Sequence, residues 1–147
     1  METWKFDNGG RKAAGYSGKT GDCVARAIAI ATGTSYPEVA RMIAMEAMYE
    51  RPGAKRRKGR RSNLRTGVFK ATIDRIMKNH FPDWKWTPTM FIGSGCKVHA
   101  KASELPKGRL ILSLSLHLAA MIDGVIHDTG DPSRGGTRCV YGYWSAP

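Results

Sequence analysis

The sequence predicts an α+β domain, and three observations carry that expectation. Helical periodicity fills the first half of the chain. In the second half apolar residues recur at every second position, and Asp123-Gly124 stands between two such runs as a two-residue hairpin signal. Helices first and an antiparallel sheet second define the α+β class. The 147 residues fit a single domain spanning 1–147. A chain of this size buries about 70% of its unfolded surface, enough for a proper core.

The helices come first. Residues 22–32 read DCVARAIAIAT, with Asp22 placed to cap the start and Gly33 to end the helix. This stretch is apolar on nearly every side except at Arg26, so it is expected to be central and buried. A second helix opens on Ser35-Tyr36-Pro37-Glu38, a capping box with proline in the first turn. Its apolar face runs through Val39, Met42, Ile43, Ala47 and Met48. Residues 68–80 predict a third helix through Val68, Phe69, Thr72, Ile73, Ile76 and Met77, with Pro82 just beyond.

The period then changes. Trp84 and Trp86 alternate with polar neighbours, as on a half-buried strand. Leu110, Leu112, Leu114, Leu116 and Leu118 form one continuous row, extended by Ala120 and Ile122, and that face is expected to be core. After the Asp123-Gly124 turn the chain returns through Val125, Ile126, His127 and Asp128, and 139–144 predicts a last strand.

Composition excludes several classes. The hydrophobic share of 41% fits a globular protein rather than a disordered one. No apolar run approaches the ~20 residues that span a bilayer, and Met1-Glu2-Thr3-Trp4 is not the start of a signal peptide. Cys23, Cys96 and Cys139 make an odd, sparse set without CxxC or zinc-ligand spacing, which predicts reduced thiols, a cytoplasmic protein and no metal. Seven cations, Lys55, Arg56, Arg57, Lys58, Arg60, Arg61 and Arg65, carry more than half of the net charge of +12. Without an acid among them, they predict a basic mobile loop at about 51–66.

Three residues invite chemistry: Cys23, His117 and Asp128. Cys23 stands at the start of the buried helix, where backbone N–H groups and the helix dipole favour thiolate over thiol. Gly18 and Gly21 before it let a substrate backbone come close, whereas the adjacent Asp22 opposes a second negative charge. If Asp123 and Gly124 are the turn, Ala119 faces Asp128, and His117 shares the face of Asp128 on its diagonal. The carboxylate then holds the imidazole, the imidazole takes the Cys23 proton, and the thiolate attacks a carbonyl. A longer turn or a bulge would substitute Asp131 for Asp128. His80, His99 and His127 have no comparable support.

The strings TGDCVARAIAIATGTSYPEV and HLAAMIDGVIHDTGDP resemble papain-like cysteine peptidase-related proteins, in particular small phage and prophage members. The resemblance spans most of the chain and implies a papain-like domain. In it, the N-terminal helices carry the nucleophile at a helix start and pack on the C-terminal sheet. It also implies Cys23 as nucleophile, His117 as base and Asp128 as orienting residue, with no organic cofactor. Bacterial cytoplasm, phage-infected host cytoplasm and the virion are the compartments it suggests. The papain pattern places a Gln before the Cys as oxyanion donor, and this sequence has no Gln. Ser17, Lys19 and Thr20, with the Cys23 N–H, are the candidate substitutes.

The expected function is a thiol hydrolase, a peptidase or isopeptidase, acting on a protein or peptide through an acyl-enzyme. The rival expectation is a phage-type binding protein without enzymatic activity. In it the papain-like core is a scaffold, and the basic loop holds nucleic acid or an acidic host protein.

Overall fold

The computed structural model describes residues 3–16, 21–50, 61–65, 67–91 and 93–147. Among these, three helices pack on a mixed six-stranded sheet, so the α+β class stands. The elements are β1 (Trp4–Phe6), α1 (Cys23–Thr32), α2 (Tyr36–Ala47), α3 (Lys70–His80), β2 (Lys85–Pro88), β3 (Arg109–Leu114), β4 (His117–Ile122), β5 (Val125–Asp128) and β6 (Gly142–Ser145). The sheet order is β1-β5-β4-β3-β6-β2.

The sheet is not the purely antiparallel, C-terminal one the sequence predicted. β1 precedes every helix and pairs parallel with β5, in the register Trp4–Ile126, Lys5–His127, Phe6–Asp128. Three residues of mixed polarity are too few for periodicity to mark a strand. The pairing is nonetheless extended at both ends, by Ile126 N–H to the Thr3 carbonyl (3.0 Å) and Asp7 N–H to the Asp128 carbonyl (2.9 Å).

The long leucine row is also broken. Residues 109–122 form a hairpin, with Ser115 and Leu116 as a two-residue turn between Leu114 and its partner His117. The turn reverses the facing. Leu110, Leu112 and Leu114 pack on one side of the sheet with Met121, Ile126 and Val140, whereas Leu118 and Ala120 face the helices. Leu116, expected in the core, is fully exposed. Both faces at the sheet centre are covered, so Ile111 and Ala119 are as buried as the leucines.

The helical layer follows its sequence closely. α1 is buried from Val24 to Ala29 and ends on left-handed Gly33 (φ 74°). The Ser35 side chain caps α2 by accepting the Glu38 N–H at 3.3 Å, one half of a capping box, whereas the Glu38 carboxylate pairs with Arg41. Met48, assigned to the apolar face of α2, lies beyond its end and is exposed. The third helix starts two residues later than expected, at Lys70. On the opposite face of the sheet, Val98, Ala100 and Leu105 form the cover.

Two further expectations change. Cys96 and Cys139 are joined as a disulfide across 43 residues, which leaves Cys23 as the free thiol. Within the expected mobile loop, residues 61–65 are anchored. The Arg61 guanidinium donates to the Ala47 carbonyl (2.9 Å) and the Glu50 carbonyl (3.1 Å), and Ser62 is buried with its N–H on the Glu50 carboxylate (2.7 Å). Lys55, Arg56, Arg57, Lys58 and Arg60 lie outside the described residues.

Trp86 of β2 and Trp144 of β6 lie with ring centroids 4.3 Å apart, above Gly142. A Cβ at that position would meet the Trp86 ring at 2.4 Å and the Thr87 carbonyl at 3.1 Å. Gly142→Ala is therefore expected to lower the free energy of unfolding by about 1–3 kcal/mol, read from urea denaturation.

Candidate active site

Cys23, His117 and Asp128 all occupy ends of elements. Cys23 is the first residue of α1, His117 the first of β4 and Asp128 the last of β5. Because β4 and β5 are antiparallel, the start of one and the end of the other share one edge of the hairpin. Its register, Ile122–Val125, Met121–Ile126 and Ala120–His127, is the one the Asp123-Gly124 turn predicted. Asp123 (φ 48°) and Gly124 (φ 83°) both adopt the left-handed backbone that such a turn requires.

The outcome is a direct contact. His117 Nε2 lies 2.7 Å from Asp128 Oδ2. The other carboxylate oxygen, Oδ1, accepts the Thr129 N–H at 2.7 Å and faces Arg26 Nη2 at 3.3 Å. With Nε2 engaged, Nδ1 is the imidazole nitrogen left for Cys23, whose thiol interacts with the ring. Asp131, the substitute considered for Asp128, instead closes its own turn by accepting the Ser133 N–H (2.9 Å) and hydroxyl (2.6 Å).

The electrostatics follow from this geometry. Burial alone pushes the Cys23 thiol up. The hydrogen bond with His117, the Leu118 N–H and the positive charges of His117 and Arg26 outweigh it, so the thiol ionises below its ordinary range. Burial pushes His117 down, but its bonds to Asp128 and Cys23 and their charges raise it to about 9. Desolvation likewise works against the Asp128 carboxylate, and the His117 bond, the Thr129 N–H and Arg26 hold it below its usual value. Each shift favours the charged form of its group: thiolate, imidazolium and carboxylate.

Asp22 does not cap α1; its side chain makes no bond to a first-turn N–H. The buried carboxylate is turned to Arg26, one helical turn on, to Arg11 Nε (3.3 Å) and to the Tyr36 hydroxyl, which donates at 2.7 Å. Two consequences follow. Its charge is compensated away from Cys23, and the first-turn N–H groups beside Cys23 are left without a side-chain cap. Arg26, which also bridges to Asp128, is the residue the sequence reading passed over. The signal was there, since a lone cation on an otherwise buried helix needs an acid, and Asp22 stands four residues before it.

A cleft of about 600 Å³ opens over the thiol, lined by Gly21, Cys23, Val68, Leu114, Leu116 and His117 among others. A second cavity of about 290 Å³ lies across His117, against Asp128, Thr129, Asp131 and Arg138. Ser17, Lys19 and Thr20, the side-chain oxyanion candidates, are outside the described residues. Of the basic residues, Arg65 is placed near the site by its backbone, its carbonyl accepting the Gly21 N–H at 2.7 Å. Comparison with protein-family models, curated proteins and solved structures gives no match.

Arg26 spans two carboxylates, both almost wholly buried. Arg26→Gln removes the cation the two share, leaving Asp22 with Arg11 alone and Asp128 with His117 alone among the described residues, and the expected cost is about 3–5 kcal/mol in chemical denaturation. Arg26→Lys keeps the charge but reaches one carboxylate at a time, so an intermediate loss is expected.

Proposed function

We propose that this protein is a cysteine hydrolase with a papain-like arrangement, cleaving a peptide or isopeptide bond through Cys23, His117 and Asp128. The observation that carries the reading is the His117–Asp128 contact at 2.7 Å, with the Cys23 thiol and the same imidazole lining one cleft and acting on each other electrostatically. The resemblance of the Cys and His-Asp strings to papain-like peptidases agrees with it. The lowered thiol and raised imidazole support it, since both shifts favour the pairing of a thiolate nucleophile with an imidazolium general acid.

The Cys23 thiolate attacks the amide carbonyl carbon, a C–S bond forms, and the carbonyl electrons move to oxygen. The N–H groups of the first turn of α1, which carry no side-chain cap, are the backbone donors we assign to that oxyanion. As the C–N bond breaks, the His117 imidazolium gives its proton to the departing amine, leaving a thioester on Cys23. His117, now neutral, takes a proton from water, the hydroxide adds to the thioester carbon, and the C–S bond breaks to return thiolate and imidazolium. Asp128 stays ionised throughout and holds the ring through Nε2.

The test is site-resolved alkylation of Cys23 with iodoacetamide as a function of pH, on wild type and His117→Ala. A lowered acid pKa keeps the anion present to lower pH, so wild-type Cys23 is expected to label well below the pH at which a free thiol ionises. Removing His117 deletes the strongest lowering influence and leaves burial, which raises the thiol. The rate near pH 6 is then expected to fall by about tenfold or more. Identical profiles for the two proteins would sink the assignment. On a peptide or isopeptide substrate, Cys23→Ala and His117→Ala are expected to abolish turnover without changing the far-UV circular dichroism.

A further inference from the structure

The hairpin that carries His117 and Asp128 is open at the end where they meet. The last pair of the β4–β5 ladder is Ala120–His127, so His117, Leu118 and Ala119 extend beyond it on one strand and Asp128 on the other. His117 is held to β3 through its pairing with Leu114, and Asp128 to β1 through Phe6. Each of those backbone anchors lies on the side away from the other residue. The chain enters His117 from the exposed turn Ser115-Leu116 and leaves Asp128 into the irregular run 129–138. A ladder that stops short leaves such ends prone to splay.

Arg138 ties the two ends together. Its Nη2 donates to the Ser115 carbonyl, two residues before His117, and its Nη1 donates to the Pro132 carbonyl (3.3 Å), four residues after Asp128. A planar guanidinium can span two carbonyls in this way, which the single ammonium of a lysine does not. The backbone behind it is fixed. The Arg138 carbonyl accepts the Ala100 N–H at 2.8 Å, its N–H donates to the Ser133 carbonyl at 2.9 Å, and the next residue, Cys139, is bonded to Cys96. The side chain borders the smaller cavity together with His117 and Asp128.

We propose that Arg138 is a positioning residue. Its guanidinium joins the turn that leads into His117 to the loop that leaves Asp128, and so keeps imidazole and carboxylate in contact where no ladder does. The proposal rests on the hydrolase reading and adds to it a residue that acts through the backbone on either side of the pair.

The experiment is the pH profile of Cys23 alkylation by iodoacetamide, site-resolved, on wild type, His117→Ala, Arg138→Ala, Arg138→Lys and Arg134→Asn. Arg138 is half-buried and bonds to carbonyls at the surface, so the variants are expected to keep the wild-type far-UV circular dichroism. A displacement of about 1 Å in a catalytic constellation costs up to about 100-fold, so Arg138→Ala is expected to lower the rate near pH 6 by about tenfold. At high pH, where the thiol ionises without help, its rate is expected to rejoin that of wild type; a general loosening of the fold would not confine the change to the acidic limb. Arg138→Lys, which reaches one carbonyl at a time, is expected to fall between the two. Arg134→Asn removes an exposed cation from the same loop at a left-handed position (φ 53°) that asparagine tolerates, and is expected to keep the wild-type profile. An acidic limb that needs His117 and survives in Arg138→Ala, or an equal loss in Arg134→Asn, overturns the positioning role and leaves the hydrolase reading standing. A wild-type profile with no His117-dependent limb sinks both.

Discussion

The buried chain Asp22–Arg26–Asp128 is the constraint on which the rest of the site depends. It joins the residue before α1, the first turn of α1 and the last residue of β5 through one guanidinium. Two carboxylates in a core demand a cation, and a cation on a buried helix demands acids. Movement of any of the three therefore breaks a buried ion pair. The chain fixes the helix start, and with it Cys23, relative to the strand that holds Asp128. Tyr36 of α2 and Arg11 extend the clamp from Asp22 outwards, so the second helix and the N-terminal segment bear on the same point.

The clamp also resolves a conflict within the sequence. An aspartate beside a thiol that is to be ionised is unfavourable if its charge is felt at the sulfur. Here its oxygens face Arg26, Arg11 and Tyr36, and the helix end keeps its N–H groups for the cleft. Had Asp22 capped the helix, those donors would be occupied and the carboxylate drawn towards Cys23. The same residue type in the orthodox capping role would thus work against the thiolate that its actual conformation tolerates.

What could be read from the sequence divides along physical lines. Features set by local chemistry were legible: the Ser35 cap, the Gly33 stop, the buried run of α1 and the Asp123-Gly124 turn with its register. Features set by long-range pairing were not. β1 is three residues that become a strand because β5 offers an edge, and the Cys96–Cys139 bond joins segments whose approach no spacing rule encodes. The leucine row misled for a definite reason. A two-residue turn leaves the every-second-residue pattern unbroken, so 109–122 reads as one strand although it folds as two. The His117–Asp128 contact was legible because a turn with a strong residue preference fixes which residues face each other; Arg26 and Leu116 were not, since their meaning lies in partners or solvent that appear only in the fold.

That register ties turn chemistry to site chemistry. A one-residue slip in a hairpin moves every side chain to the opposite face. If the β4–β5 turn gained a residue, Asp128 would leave the face of His117, and the 2.7 Å contact could not form whatever the two side chains were. The positive φ at Asp123 and Gly124 is therefore a condition of the site although neither residue borders it. At the other end of β4 the logic is reversed, because Leu116 keeps the reversal tight with a residue that does not favour it. One turn is built from residues that suit its backbone and sets the geometry. The other carries strain directly beside the imidazole, and it persists because the β3–β4 pairing, from Leu114–His117 onwards, over-determines the turn.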